Sequence, residues 1–201
     1  MITIGIIIVT AIVSFAAFKN EELFNKLCLY PYEMHRTKGQ LFRFVSVGFV
    51  HADAGHLILN MLTLFFFGKE LEGTVFSETQ YLLFYMSALV LSCLQTYAKQ
   101  KNNENYKACG ASGAVSAVLF ALVLYAPWGV VYIKFIIPVY FILYAVGYLI
   151  YSYYMSKRMG DNVAHDVHIA GALYGIAFTL ITKPESLRVF LNQIQDVPFL
   201  S

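Results

Sequence analysis

Read for runs of apolar and polar positions, the chain divides into six apolar stretches, at about 1–18, 52–70, 78–98, 112–126, 130–154 and 166–182. Crossing a bilayer takes roughly 20 mainly apolar residues per helix, so the pattern predicts an all-α, polytopic membrane protein. The expected form is a six transmembrane helix bundle, one domain over 1–201. The run LILNMLTLFFFG in the second stretch is short for a span, and its helix is expected to begin among the histidines before it. Pro127, Trp128 and Gly129 join the fourth and fifth stretches, which predicts a tight antiparallel connection. The first stretch is apolar from its first residue with no basic region ahead of it, so it reads as a retained span rather than a cleaved signal. The longest connection, about 19–51, mixes Lys19, Glu21, Glu22, Arg36 and Lys38 with Phe, Leu and Tyr, and predicts an amphipathic loop lying in the membrane interface.

Composition removes the soluble alternative. The chain is 59% hydrophobic and 13% charged, with a mean hydropathy of +0.62, against roughly 25% charged residues in soluble domains. The formal net charge of +2 is spread along the chain, which excludes a nucleic-acid partner and a polybasic lipid-binding tail. Expected partners are the lipid bilayer and other membrane proteins. Cys28, Cys93 and Cys109 form no C-x-x-C pair and no metal-ligand spacing. They read as free thiols, with no metal and no cofactor expected. Ten basic residues, from Lys19 to Arg158, fall on the face of the first, third and fifth loops, against Lys69, Lys183 and Arg188 on the other. The positive-inside rule places the ten-residue face in the cytoplasm.

Polar side chains inside spans are costly and by default mark function or mutual pairing. The second span carries His56 and Asn60, four apart and therefore on one helical face. The fourth opens Gly110-Ala111-Ser112-Gly113, which puts a serine at a helix N-terminus. There the free N–H groups and the helix dipole favour a developing anion. The competing reading is helix packing, since Gly113, Ala117 and Ala121 recur every four residues. The sixth span carries His168, Gly171 and Gly175 on one face. Two small-residue faces can pack backbone to backbone, which would bring His168 to Ser112. A serine hydroxyl needs such a base to become a nucleophile. Asp166, two residues away, does not face His168, so the reading is a Ser-His dyad. His56, Asn60 and the Ser112 N–H are candidate oxyanion donors, or else interhelical hydrogen-bonding glue. His165, one turn before His168, competes as the base.

In order along the chain stand Arg43, His51 and His56 in H-x-x-x-x-H, Asn60, Gly68 and Glu72, Gly110-Ala111-Ser112-Gly113, and His168-x-x-Gly171-x-x-x-Gly175. This ordered set, over about 40–176, resembles the rhomboid family of intramembrane serine proteases. The resemblance implies a six-helix core with a Ser112–His168 dyad below the membrane surface, with His56 and Asn60 as oxyanion stabilisers. It also implies structural roles for Arg43 and Glu72, transmembrane protein substrates, and location in a bacterial inner membrane. Spans two and five and the fifth loop would admit substrate. Two departures stand out. The family's bacterial members often carry an aromatic residue four positions after the nucleophile, where this chain has Ser116, so another side chain must orient His168. Phe42-Arg43 replaces the usual Trp-Arg. Family topology also puts the ten-residue basic face outside a bacterial cytoplasm, opposite to the charge count. The rival functions are a catalytically inactive relative that binds membrane clients and a small transporter using the same polar residues.

Overall fold

The computed structural model describes residues 1–133, 136–156 and 164–198, with backbone alone at Ile133. Helix α1 (Ile2–Phe18) leads into the short helices α2 (Glu21–Leu27), α3 (Pro31–Arg36) and α4 (Arg43–Ser46) and a 3-10 turn (Val47–Phe49). Then α5 (Ala54–Thr63) runs through a π-helical turn (Leu64–Gly68) into α6 (Lys69–Thr74), followed by α7 (Glu78–Gln100) and α8 (Ser112–Val123). A hairpin of β1 (Val130–Ile133) and β2 (Ile137–Tyr140) precedes α9 (Phe141–Ser156), α10 (His165–Thr182) and α11 (Glu185–Gln195). Several helix starts are written in the local sequence. Asn20 Oδ1 accepts from the Leu23 N–H at 2.9 Å, Asp53 Oδ1 from the His56 N–H at 2.8 Å, Ser77 and Gln80 form a capping box, and Pro31 opens α3.

Helices form in all six apolar stretches, but they differ in length. Among the described residues, α7 is long and apolar enough to cross a membrane by itself, and Ala54–Thr74 passes together with Arg43–Phe49, from which it bends by 96°. Helix α8 has twelve residues, about 18 Å at 1.5 Å per residue, well short of a hydrocarbon core of about 30 Å. It is also the centre of the fold, with every residue from Gly113 to Val123 buried. Helix α10 lies directly against it. A Cβ at Gly171 would collide with the Gly113 carbonyl, and one at Gly175 with the Ala117 carbonyl, so the two backbones touch along the glycine face. Phe76, Phe84, Tyr174 and Phe178 then lock α10 to α7 and the end of α6, with centroids 5.1 to 6.0 Å apart. The outward faces remain apolar, with Ile12 65%, Leu83 62%, Ile150 65% and Ile181 78% exposed.

The expected single helix over 130–154 is corrected. Val130–Ile133 and Ile137–Tyr140 pair as antiparallel strands, Val130 with Tyr140 and Val131 with Val139, and the helix starts only at Phe141. Val130, Val131, Ile133, Ile136, Ile137 and Val139 are β-branched, and Pro138 lacks the N–H an interior helical residue needs. The stretch is apolar enough for a span but carries a strand's residues. The loop over 19–51 is largely short helix, stitched by Arg43. Its Nη1 donates to the carbonyls of Asn25 and Cys28, both at 2.8 Å, and its Nε donates to Gln40 Oε1 at 2.8 Å. Glu72 accepts from the N–H groups of Ile2 and Thr3 at 2.5 and 2.9 Å, capping α1 from α6. Lys157 and Arg158, counted in the charge argument, lie outside the described residues.

Candidate active site

The segment before α8 is shaped by one glycine and one buried histidine. Gly110 has φ +115°, and a Cβ there would strike the His56 ring; backbone conformation and space both demand glycine. Its N–H donates to the Val47 carbonyl at 3.0 Å. The next N–H, of Ala111, donates to His51 Nε2 at 3.3 Å. An accepting Nε2 leaves the proton on Nδ1, which faces Ser14 Oγ at 3.0 Å, and Ser14 in turn donates to the Phe49 carbonyl at 3.0 Å. His51 is fully buried, and burial pushes its pKa down to about 3, holding the ring neutral as this chain of bonds requires. A relay from α1 through His51 thus fixes the peptide that presents Ser112.

Ser112 is the first residue of α8, so the N–H groups of Ser112 and Gly113 belong to the first turn and have no intrahelical acceptor. His168 sits in the first turn of α10, and its Nε2 lies 2.8 Å from Ser112 Oγ. The close backbone contact at Gly113 and Gly171 brings these two helix starts together. Asp166 is turned away from the dyad to Lys99, 2.7 Å from its Oδ2. His165 is buried and meets His168 edge-on, with centroids 5.7 Å apart. The His56 ring packs at Gly110, two residues from Ser112. Asn60 is buried one turn further along, its Nδ2 donating to the His56 carbonyl at 3.0 Å.

Tyr148, on α9, stacks on His168 with centroids 5.8 Å apart and planes 23° from parallel. Its hydroxyl is 2.7 Å from Ser116 Oγ. Sequence reasoning missed this residue among 15 tyrosines. The available signal was Ser116: a small hydroxyl at the position where an aromatic was expected leaves room for a ring arriving from another helix. Gly68, the remaining motif glycine, is where α5–α6 passes Tyr81, Leu64 and Thr3 too closely for a Cβ.

A sequence model of the Rhomboid domain matches residues 38–185, nearly three-quarters of the chain. The chain belongs to the rhomboid family. The matched rhomboid segment contains every motif residue from Arg43 to Gly175, together with Ser116 and Tyr148. The chain is also 26% identical over 160 residues to the RHOMBOID-like protein 12, mitochondrial, of Arabidopsis thaliana, an alignment covering 72% of this rhomboid and 48% of that protein. It spans about half the length of that curated relative. Membership brings with it a membrane location.

Proposed function

We propose that this rhomboid is an intramembrane serine endopeptidase that hydrolyses peptide bonds in or near transmembrane segments of other membrane proteins. The observation carrying the proposal is the 2.8 Å approach of His168 Nε2 to Ser112 Oγ at a helix N-terminus. His168 Nε2 takes the hydroxyl proton as Ser112 Oγ attacks the scissile carbonyl. The tetrahedral oxyanion is met by the Ser112 N–H and by His56, with Asn60 beside it. Each such donor is worth about 2.7–4 kcal/mol of barrier. His168 returns the proton to the leaving amine, and the same base then activates the water that releases the acyl group from Ser112. With Asp166 bound to Lys99, the mechanism is a dyad, and Tyr148 takes the positioning role that a third polar group fills in triads.

Substrate class follows from the surroundings. A cleft of about 460 Å³ lies between α5, β1 and α9, walled by Leu59, Phe66, Phe67, Leu119, Val131 and Tyr144 among others. Ser112 and His168 are not in its walls, but Leu119 and Tyr144 lie one turn from Ser116 and Tyr148. An apolar segment docked there reaches the dyad by unwinding past that pair. The apolar outer faces of α1, α7, α9 and α10 fit a bilayer, in which the short α8 would start below the surface. The Arabidopsis relative is mitochondrial by its name, which gives no support to a bacterial inner membrane, and the proposal keeps only the membrane.

The test is fluorophosphonate labelling of the detergent-solubilised full chain beside Ser112→Ala and His168→Ala, followed by cleavage of a single-span substrate. Labelling and cleavage of the unsubstituted chain alone support the dyad. Equal labelling of all three proteins, or of none, refutes it.

A further inference from the structure

Outside the dyad, the connection to α8 carries a second reactive pair. Leu29 and Ala108 face each other in an isolated antiparallel bridge and exchange both backbone hydrogen bonds, Leu29 N–H to Ala108 O at 2.9 Å and Ala108 N–H to Leu29 O at 3.0 Å. In antiparallel pairing the positions flanking a doubly bonded pair come closer, with Cα atoms about 4.5 Å apart. On one side these are Tyr30 and Lys107, and the Lys107 ammonium does lie 4.9 Å from the Tyr30 ring centroid. On the other they are Cys28 and Cys109. The expected spacing is inside the range of about 4.4–6.8 Å that a disulfide spans, and the two side chains pack in one apolar cluster, where the thiols influence each other.

The two sulfurs are unequal. Cys28 is buried, 1% exposed, while Cys109 is half-buried. The neighbouring Cys28 lowers the Cys109 pKa, whereas Cys109 together with burial raises that of Cys28. A partly exposed thiol of lowered pKa beside a buried partner thiol is the arrangement of an attacking and a resolving cysteine.

We propose that Cys28 and Cys109 form a reversible thiol–disulfide site whose oxidant is a small-molecule disulfide. The Cys109 thiolate attacks one sulfur of the reagent, breaking its S–S bond and expelling one thiolate. Cys28 then gives up its proton and attacks the Cys109 sulfur of the mixed disulfide, expelling the second thiol. Two protein thiols and one reagent disulfide become one protein disulfide and two reagent thiols. The new bond would tether the segment after α2 to the residue preceding Gly110, and so clamp the peptide that presents Ser112. Cys93, buried at 4% exposure on α7, takes no part.

The experiment uses the detergent-solubilised full chain incubated with oxidised glutathione, then denatured, alkylated and mapped by peptide mass spectrometry without reduction. The expected result is a Cys28–Cys109 linked peptide, reversed by dithiothreitol, with Cys93 still alkylated and the Tm raised by about 5–10 °C. Cys28→Ala should trap glutathione on Cys109 with no rise in Tm, and Cys93→Ala should oxidise as the unsubstituted chain does. A chain that keeps both thiols, stops at the mixed disulfide, or links through Cys93 overturns the proposal. None of these readouts depends on protease activity.

Discussion

In the proposed mechanism, removing the Tyr148 ring disables His168 as base without abolishing substrate binding. In Tyr148→Leu the stack on His168, now 5.8 Å between centroids, is lost, and with it about 0.5–1.5 kcal/mol of aromatic interaction. The imidazole then keeps its contacts with Ser112 and His165 but loses the ring against its face. A displacement of about 1 Å at a reacting group can cost around 100-fold in rate. The stack alone, near the upper end of its range at about 1.4 kcal/mol, is worth about tenfold. Tyr148→Leu should therefore lower kcat by about 10–100-fold with KM within about twofold. Tyr148→Phe keeps the ring and should lose less than about fivefold. Ser116→Ala leaves the Tyr148 hydroxyl without its partner, at about 1–3 kcal/mol, whereas the double substitution with Tyr148→Phe removes both partners and should recover most of that stability. Initial rates on a single-span substrate, with Tm measured on the same samples, separate positioning from folding. Equal losses in Tyr148→Leu and Tyr148→Phe, or wild-type turnover in Tyr148→Leu, would show that the stack does not hold the base.

Three further perturbations test the remaining parts of the site. His168→Ala should abolish fluorophosphonate labelling while His165→Ala retains most of it, and the opposite result would exchange their roles. Gly110→Ala, which needs a left-handed φ and meets the His56 ring, should cost about 1–3 kcal/mol by the strain such positions store and slow labelling at least tenfold; an unchanged Tm would refute that reading of the turn. His51 in the unfolded chain takes up a proton near pH 6.5, but in the folded chain only near 3, so between these values the unfolded state binds more protons. Stability is complete above about pH 6.5 and falls as pH drops toward 3, by at most about 1.4 kcal/mol per unit. Thermal unfolding followed by circular dichroism should show His51→Gln flattening this fall, and parallel profiles for the two proteins would remove His51 as its source.

What the sequence disclosed about the fold followed from which signals are local. The apolar runs act within one helix, so helix positions were legible in α1, α5–α6, α7, α8 and α10. The error over 130–140 arose because hydropathy measures transfer from water and is blind to backbone preference. Val130 to Tyr140 are as apolar as a span, yet their β-branching and Pro138 favour a hairpin. Helix α11 was passed over for the converse reason: Arg188, Asn192 and Gln193 lower its hydropathy, although Leu187 and Leu191 repeat at a helical interval.

The site divides along the same line. Glycine spacing is a one-dimensional record of a three-dimensional contact, because Gly171 and Gly175 are small where the Gly113 and Ala117 carbonyls press against them. That is why the meeting of α8 with α10 could be reasoned from sequence. Tyr148 left no such record. Its ring needs space on another helix, and the residue that provides it, Ser116, reads as one more small side chain in an apolar run. An aromatic contributed by α8 would be fixed relative to Ser112 by a single helical turn, whereas Tyr148 comes from α9, a helix only three of whose residues, Phe141, Ala145 and Ser152, are buried. The orientation of His168 therefore depends on where α9 packs, and the Ser116–Tyr148 hydrogen bond is the tie that returns this distant support to the helix that carries Ser112.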